Sequence, residues 1–247
     1  MGSLQSDIKS IIADKQHGSS IILHKIIQLL GANNYNIDEL RWVFNNLRKV
    51  DEAMIIIHHF LDLLEPKIGK DFYYHLDEYI GKWANVEEVI AENLYHYIKS
   101  YKAIKILAHS QSGVVLKTIE TLVKNNINVT VYQTESLPGG EGYIQAHLLK
   151  DRSIPVSLIK DHDIEEIIGD INCCLLGVDQ YDNGGFVNKV GSSEIAELAS
   201  INNVPVYVLG DTRKEVSSCN VSNHELFEYT ELNESTLLIT QEDIDHE

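Results

Sequence analysis

The fold is decided by residues 104–113, IKILAHSQSG, where a short apolar run ends in a polar loop. The residues that follow place Val115, Ile119, Leu122 and Val123 at helical spacing, which predicts an amphipathic helix directly after the loop. A buried strand, a polar loop and a helix form the repeating unit of parallel sheets that helices cover on both faces. This stretch therefore predicts an α/β fold for the second half of the chain.

The same alternation continues toward the C-terminus, with further apolar runs at residues 129–133, 155–159, 173–178, 204–209 and 237–240. Apolar strands separated by helices are typical of a Rossmann-like domain with a mostly parallel sheet. Such a sheet binds ligands beyond the C-terminal ends of its strands. We therefore expect a site in the loops that begin at His109, Thr134, Asp161, Asp179 and Gly210.

The first hundred residues show helical periodicity instead. Apolar residues recur three and four positions apart in three stripes, within residues 22–30, 56–64 and 86–101. We expect a helical N-terminal domain at residues 1–102, followed by the Rossmann-like C-terminal domain at residues 103–247.

The charge of the chain limits its partners. Aspartate and glutamate outnumber lysine and arginine 37 to 20, for a formal net charge of −17, which disfavours nucleic acid as a partner. Charges interrupt the aliphatic segments before the roughly 20 residues that a membrane span needs, and no signal core follows the N-terminus. We expect a cytoplasmic protein with no membrane partner, and a solvated acidic tail at Glu242, Asp243, Asp245 and Glu247.

The sequence predicts no cofactor and no metal site. Cys173, Cys174 and Cys219 are too few and too poorly spaced for a disulfide framework or a four-cysteine metal site. The loop after the first strand contains only Gly113, so the glycine-rich fingerprint of dinucleotide-binding proteins is missing there.

Several of these loops resemble segments of a known family. The segments are residues 106–110 (ILAHS), 134–138 (TESLP), 177–179 (GVD) and 183–192 (NGGFVNKVGS), and the likeness extends to residue 214. In this order they resemble the initiation factor 2B alpha, beta and delta subunits, methylthioribose phosphate isomerase and ribose bisphosphate isomerase. The resemblance implies a ligand cleft between the two domains and a homodimer formed mainly through the C-terminal domain. It also implies a phosphorylated sugar or nucleotide as ligand and initiation-factor-type protein partners.

The resemblance nominates two catalytic positions and several binding positions. Asp179 matches the aspartate that serves the aldose–ketose rearrangement in the isomerases, and Ser110 stands where they have a cysteine. A hydroxyl is a far weaker acid than a thiol, whose reference pKa is about 8.5, so the isomerase mechanism is not simply retained. Asn188 and Lys189 stand where the isomerases bind substrate, and Glu135 belongs to a second matching segment.

The arginines of the isomerases are replaced here. His17 and Gly18 stand where an arginine-glycine pair is expected, residues 51–53 (DEA) replace an arginine-proline-threonine segment, and Leu137 replaces a third arginine. Each lost charge-assisted hydrogen bond is worth roughly 1.5–3 kcal/mol. The sequence therefore predicts weak binding of a doubly phosphorylated sugar.

A smaller anion remains compatible with the loop after the first strand. His109, Ser110, Gln111, Ser112 and Gly113 precede a helix N-terminus, where free backbone amides favour anions.

Plainer roles stay open for three of the nominated residues. Ser110 can be a nucleophile, although a cap of the following helix is favoured. Asp179 can be a proton-transfer residue or a turn residue, and Lys189 can hold an anion or form an ion pair.

Two functions are consistent with these features. The first is an initiation factor 2B-like regulatory or ligand-binding protein with a degenerate sugar-phosphate isomerase cleft. The alternative is an aldose–ketose sugar-phosphate isomerase with altered substrate specificity, in which Asp179 acts as acid or base. A pure assembly partner is a third class, which an exposed apolar patch would mark.

Overall fold

A computed structural model of the protein describes residues 2–243. Asp245 and Glu247 of the predicted acidic tail lie outside the described residues. Asp243 is described, and its carboxylate accepts two hydrogen bonds from Thr240. The backbone N–H of Thr240 donates at 2.5 Å and the hydroxyl of Thr240 at 3.1 Å.

The described chain begins with helices, as the periodicity predicts. They are α1 (Gly2–Ala13), α2 (Ser19–Gly31), α3 (Ile37–Leu47), α4 (Ile55–Leu64), α5 (Phe72–Trp83) and α6 (Val86–Ile98). Helices α1 to α5 bury a common core in which the rings of Phe44, Phe60 and Phe72 are fully enclosed.

The second half of the chain contains a parallel sheet of six strands within the described residues. The strands are β1 (Ala103–His109), β2 (Asn128–Thr134), β3 (Val156–Ile159), β4 (Cys173–Gly177), β7 (Val206–Leu209) and β9 (Thr236–Ile239), and their spatial order is β3-β2-β1-β4-β7-β9. Every neighbouring pair is parallel, and Ile106 of β1 lies opposite Val131 on one side and Cys173 on the other. The helices between the strands are α7 (Gly113–Lys124), α8 (Glu141–Asp151), the short α9 (Ile164–Ile167) and α10 (Ser192–Ile201). The predicted α/β class and the mostly parallel sheet are confirmed.

A second, antiparallel sheet was not predicted. It contains β5 (Gln180–Tyr181), β6 (Gly185–Lys189) and β8 (Phe227–Glu231) in the order β5-β6-β8. A loop was expected to begin at Asp179, and this expectation is wrong for most of residues 180–189, which pair into this sheet. All five residues of β6 are buried, so the strand lacks the apolar and polar alternation that would have revealed it.

The helical and α/β parts interlock. Helix α6 packs its apolar side against α7 and the parallel sheet, rather than into the core of α1 to α5. In the other direction, Val187 of β6 and Phe227 of β8 are buried in the core of the helical part. The division of the chain at residues 102 and 103 stays a prediction.

Candidate functional site

The site lies where the strand order of the parallel sheet reverses, between β1 and β4. The chain passes from β1 through β2 to β3 and then returns to β4 on the other side of β1. This reversal separates the loops that follow β1 and β4, and the crevice between them is the usual ligand position in such sheets. The loops at Ser110 and Asp179 enclose a cavity of about 210 Å³ together with the N-terminal end of α2. That volume suits a small ligand.

Most of the predicted site residues come together in the cavity wall. They are His17, Gly18, Ser110, Gln111, Ser112, Gly113, Asp179, Asn188 and Lys189. His109 and Glu135 are not part of the wall.

Asp179 is a buried carboxylate of the cavity wall. It is 8% exposed, and one of its oxygens accepts a hydrogen bond of 2.5 Å from the hydroxyl of Ser19 at the start of α2. Burial raises the pKa of Asp179 above its ordinary value, while the nearby Lys214 ammonium and the Ser19 hydroxyl act in the opposite direction. The Lys214 ammonium itself donates to the carbonyl of Val178 at 2.6 Å.

Lys189 forms a buried ion pair instead of presenting a free charge. Its ammonium donates to one oxygen of Glu141 at 2.9 Å, and the two side chains are 4% and 9% exposed. Glu141 reaches this position because α8 starts directly after Gly140, which has a left-handed φ of 75°. A Cβ on Gly142 would lie 1.7 Å from the carbonyl oxygen of Thr134, so only glycine allows α8 to approach β2 this closely. The positive charge of Lys189 is therefore largely balanced by the carboxylate of Glu141.

Asn188 turns toward the protein as well. Its amide donates to the hydroxyl of Ser192 at 2.9 Å, and that hydroxyl donates to the carbonyl of Lys189 at 2.7 Å. These bonds fix the end of β6 against the start of α10.

The loop after β1 differs from the prediction in one respect. The residue that caps α7 is Ser112, whose hydroxyl accepts from the backbone N–H of Val115 at 3.5 Å, so the expectation that Ser110 caps this helix is wrong. Ser110 instead has a φ of 63°, in the left-handed region that serine rarely adopts, and its N–H donates to the hydroxyl of Ser136 at 2.7 Å. Ser110 lines the cavity wall.

His109 is not available as a base for Ser110. One ring nitrogen lies 2.7 Å from the hydroxyl of Thr134, and the other lies 2.8 Å from the carbonyl oxygen of Val190. Burial lowers the pKa of His109 to about 4, although the Val190 carbonyl favours the charged ring. The imidazole is a neutral structural group behind the cavity wall at ordinary pH.

The remaining predicted residues have local partners. Glu135 accepts a hydrogen bond of 2.6 Å from the hydroxyl of Tyr143, away from the cavity. His17 lies 2.9 Å from the carboxylate of Asp14, which also accepts from Lys25 at 2.7 Å. Burial opposes ionisation of Asp14, but these two partners prevail and lower its pKa to about 2.

Gly18 connects the helical part to the loop after β1. Its N–H donates to the side-chain oxygen of Gln111 at 3.2 Å, and a Cβ at this position would lie 2.9 Å from the Gln111 carbonyl oxygen. This close approach suits glycine.

Three important residues of the cavity were not nominated from the sequence: Ser19, Glu141 and Lys214. Lys214 closes the last segment of the family likeness, and Ser19 directly follows Gly18, so their positions carried some signal. Glu141 lies between the glycines at positions 140 and 142, and nothing in the sequence marked it as a site residue.

Neither arginine nor cysteine contributes to the described cavity wall. Arg213 is held elsewhere, since it forms two hydrogen bonds to Asp211, of 2.8 and 3.0 Å, and stacks 4.5 Å from the ring of Trp83. Cys173 and Cys174 are buried within β4. The positive charges of the wall are Lys15, Lys49, Lys189 and Lys214, with His17 in addition when it is protonated.

Two further properties of the described part of the chain concern membrane spans and metal ligands. No helix within residues 2–243 has both the length and the apolar character that crossing a bilayer requires. Over the same residues, histidine, cysteine and acidic side chains form no group of three or more that could hold a metal ion.

Known proteins share parts of this sequence and the whole of this fold. Translation initiation factor eIF2B subunit alpha of Caenorhabditis elegans is 34% identical over 114 residues, which is 46% of this chain and 37% of that relative. Ribose 1,5-bisphosphate isomerase of Archaeoglobus fulgidus is 33% identical over 110 residues, which is 44% of this chain and 35% of that relative. The chain thus spans little more than a third of the length of these curated relatives.

The likeness in structure extends further than the likeness in sequence. The crystal structure of Pyrococcus horikoshii translation initiation factor eIF-2B superimposes with a TM-score of 0.84, covering 97% of this chain and 95% of that one at 19% identity. At this identity the match shows a common fold. The sequence profile described as the initiation factor 2 subunit family matches residues 20–245, which is most of the chain. The chain therefore belongs to the initiation factor 2 subunit family.

Proposed function

We propose that this chain is an initiation factor 2B-like regulatory or ligand-binding protein whose sugar-phosphate isomerase cleft is degenerate. One observation carries the proposal: Lys189, at the position where the isomerases bind substrate, is paired with Glu141 in a buried ion pair. A cation that is already paired offers little of its charge to a phosphate.

The chemistry at Ser110 supports the same proposal. A serine stands at the position of the isomerase cysteine, and the histidine that precedes it in the chain, His109, is fixed by Thr134 and Val190. A serine hydroxyl without an adjacent base is a poor nucleophile and a poor acid. The cavity keeps the frame of the isomerase site without its thiol and its arginines.

Asp179 favours a second candidate, an aldose–ketose isomerase with altered substrate specificity. Burial raises the pKa of this carboxyl group, which moves it toward the range in which a general acid or base works near neutral pH. In this alternative Asp179 transfers the proton, while Asn188 and Lys189 orient a hydroxyl or a phosphate.

Turnover separates the two candidates. The purified chain is assayed with methylthioribose 1-phosphate and with ribose 1,5-bisphosphate, and we expect no conversion above the uncatalysed rate. Conversion at ordinary enzymatic turnover, about 1–1,000 per second, contradicts the first proposal. If conversion occurs, an Asp179→Asn variant with unchanged turnover excludes Asp179 from the mechanism and contradicts the alternative.

Ligand binding is tested separately from turnover. A thermal-shift screen with pentose phosphates and nucleoside monophosphates detects any ligand that binds only the folded protein, because such a ligand raises the apparent stability. We expect a shift with at least one of these compounds.

The proposal includes a homodimer, initiation-factor-type protein partners and a cytoplasmic location. Ile201, Leu137 and Tyr143 are large apolar side chains of the α/β part that are 69%, 52% and 49% exposed, so they are available to a partner chain. Light scattering after size exclusion tests the dimer, and a strict monomer at micromolar concentrations contradicts it.

A further inference from the structure

Two polar atoms in the cavity wall have no hydrogen-bond partner within residues 2–243: Nε2 of Gln111 and Oε2 of Glu141. Gln111 is 3% exposed and Glu141 is 7% exposed, so bulk water does not satisfy these atoms. Buried polar side chains of folded proteins normally have a partner, so each such atom requires an explanation.

The other end of each side chain is held by the protein. The oxygen of the Gln111 amide accepts from the N–H of Gly18 at 3.2 Å, which leaves the NH₂ group as the free end. The second oxygen of Glu141 accepts from the ammonium of Lys189 at 2.9 Å. The cavity wall therefore holds one fixed free donor and one fixed free acceptor.

The charges of the wall differ between its buried and its exposed parts. In the buried part, Lys189 is paired with Glu141, and Lys214 donates to a backbone carbonyl next to Asp179. Lys15 and Lys49 are exposed cations of the same wall and mark its mouth. A phosphate in the buried part would meet the carboxylates of Glu141 and Asp179 and two engaged ammonium groups. The more exposed part of the wall adds Lys15 and Lys49 to the carboxylates of Asp14 and Asp51, and Asp14 is already paired with Lys25.

We propose that the buried end of this cavity takes an uncharged, hydroxyl-bearing part of a ligand, such as the neighbouring hydroxyls of a sugar, and that Glu141 excludes a phosphate from it. The inference rests on the proposed function, because it takes the cavity to be a ligand site. A hydroxyl both accepts and donates, so the hydroxyls of a ligand can pair with the Gln111 amide as well as with the Glu141 carboxylate. A phosphate dianion only accepts, and it is repelled by Glu141. Any single phosphate of the ligand lies at the mouth, near Lys15 and Lys49.

Calorimetric titration of the full chain with ribose, ribose 5-phosphate and ribose 1,5-bisphosphate tests the inference. We expect the wild-type protein to bind the bisphosphate no more tightly than the monophosphate, because only one phosphate finds a cation. The variant Glu141→Gln keeps the side-chain volume and releases Lys189. It should bind the bisphosphate about tenfold more tightly or better, as expected for one new charge-assisted bond. Its affinity for ribose should fall by about threefold or more, because the carboxylate that accepts from a ribose hydroxyl becomes an uncharged amide.

The double variant Glu141→Gln/Lys189→Gln is the matched control, because it removes the carboxylate without leaving a free ammonium group. We expect no gain in bisphosphate affinity from it. Should the single variant fail to fold with an unpaired buried lysine, the wild-type ratio of bisphosphate to monophosphate affinity decides the question alone.

Three outcomes would overturn the inference: a bisphosphate preference of about tenfold or more in the wild-type protein, a folded Glu141→Gln variant without a gain, or binding of none of the three probes. Catalytic turnover of a probe overturns the proposed non-catalytic function and leaves the inference intact. The failure of one is thus distinguishable from the failure of the other.

Discussion

The hydrogen bond between Ser19 and Asp179 gives a sharp prediction, because it joins the helical part of the protein to the end of β4. The Ser19 hydroxyl lies 2.5 Å from the carboxylate oxygen, and the two residues are 1% and 8% exposed. Replacing Ser19 by alanine deletes the donor and leaves the buried carboxylate with one partner fewer. A hydrogen bond to a charged group contributes about 1.5–3 kcal/mol, so we expect Ser19→Ala to lower the free energy of unfolding by that amount near pH 7.

The loss should depend on pH in a defined direction. The Ser19 hydroxyl is one of the groups that lower the pKa of Asp179 in the folded state, so its removal raises that pKa further. Below the ordinary pKa of aspartate, 3.8, the carboxyl is protonated in the folded and unfolded states alike, and the difference between variant and wild type becomes small. As the pH rises through the folded-state pKa, the unfolded state loses its proton first and the difference grows to its full value.

Urea denaturation of both proteins between about pH 4 and pH 8 measures this difference directly. Ser20→Ala is the matched control, since Ser20 is the next residue of α2 and lines the same cavity. A loss equal to that of Ser20→Ala, or one that does not change with pH, would refute the reasoning. In an Asp179→Asn background the cost of Ser19→Ala should shrink, because the charge that strengthens the bond is gone.

Two glycines, whose replacement should change the stability in opposite directions, and one buried histidine give the remaining predictions. Gly142→Ala should lower the free energy of unfolding by about 3 kcal/mol or more, because the new methyl group collides with the carbonyl oxygen of Thr134. Gly81→Ala, at an open position of α5, should raise the free energy of unfolding by about 0.5–1 kcal/mol. Denaturation curves that give the two variants equal stability contradict these predictions. His109 has a folded-state pKa of about 4 against an ordinary 6.5, so the unfolded state binds its proton first, and about 3 kcal/mol of stability is lost as the pH falls between these values. His109→Gln should reduce this loss of stability at acid pH. An unchanged loss in the variant, or an equal reduction by replacement of the exposed His224, contradicts the prediction.

The sequence was sufficient for the parallel sheet because its evidence is local. Each strand is a short apolar run, and each connecting helix shows its own periodicity, so the order of elements follows from residues that are neighbours in the chain. The loops after β1 and β4 were likewise predictable, since the ends of parallel strands collect at one edge of the sheet. Within these loops the family resemblance nominated Ser110 and Asp179, and both line the cavity.

The contacts that decide the chemistry of the cavity could not be predicted, because they are not local. Ser19 and Asp179 are 160 positions apart, and Lys189 and Glu141 are 48 apart. Many acidic residues could have paired with Lys189, and the choice of Glu141 depends on how closely Gly142 lets α8 approach β2. The antiparallel sheet was missed for a related reason: β5 has only two residues, and β8 joins β6 from a distant part of the chain.

The contacts of Asp179 give its carboxylate a structural use that is independent of catalysis. Asp179 accepts a hydrogen bond from Ser19. The two residues before Ser19 belong to the same wall, where His17 contacts Asp14 and Gly18 donates to Gln111. The start of α2 is therefore attached to the sheet through Asp179, and this attachment is a structural use that requires no catalysis. Retention of the aspartate alone does not argue for turnover. An Asp179→Asn variant distinguishes the two uses, because asparagine still accepts the Ser19 hydroxyl but cannot transfer a proton as a carboxylate does. A variant that keeps its stability and its ligand while the wild-type protein shows no turnover is the result that a binding protein predicts.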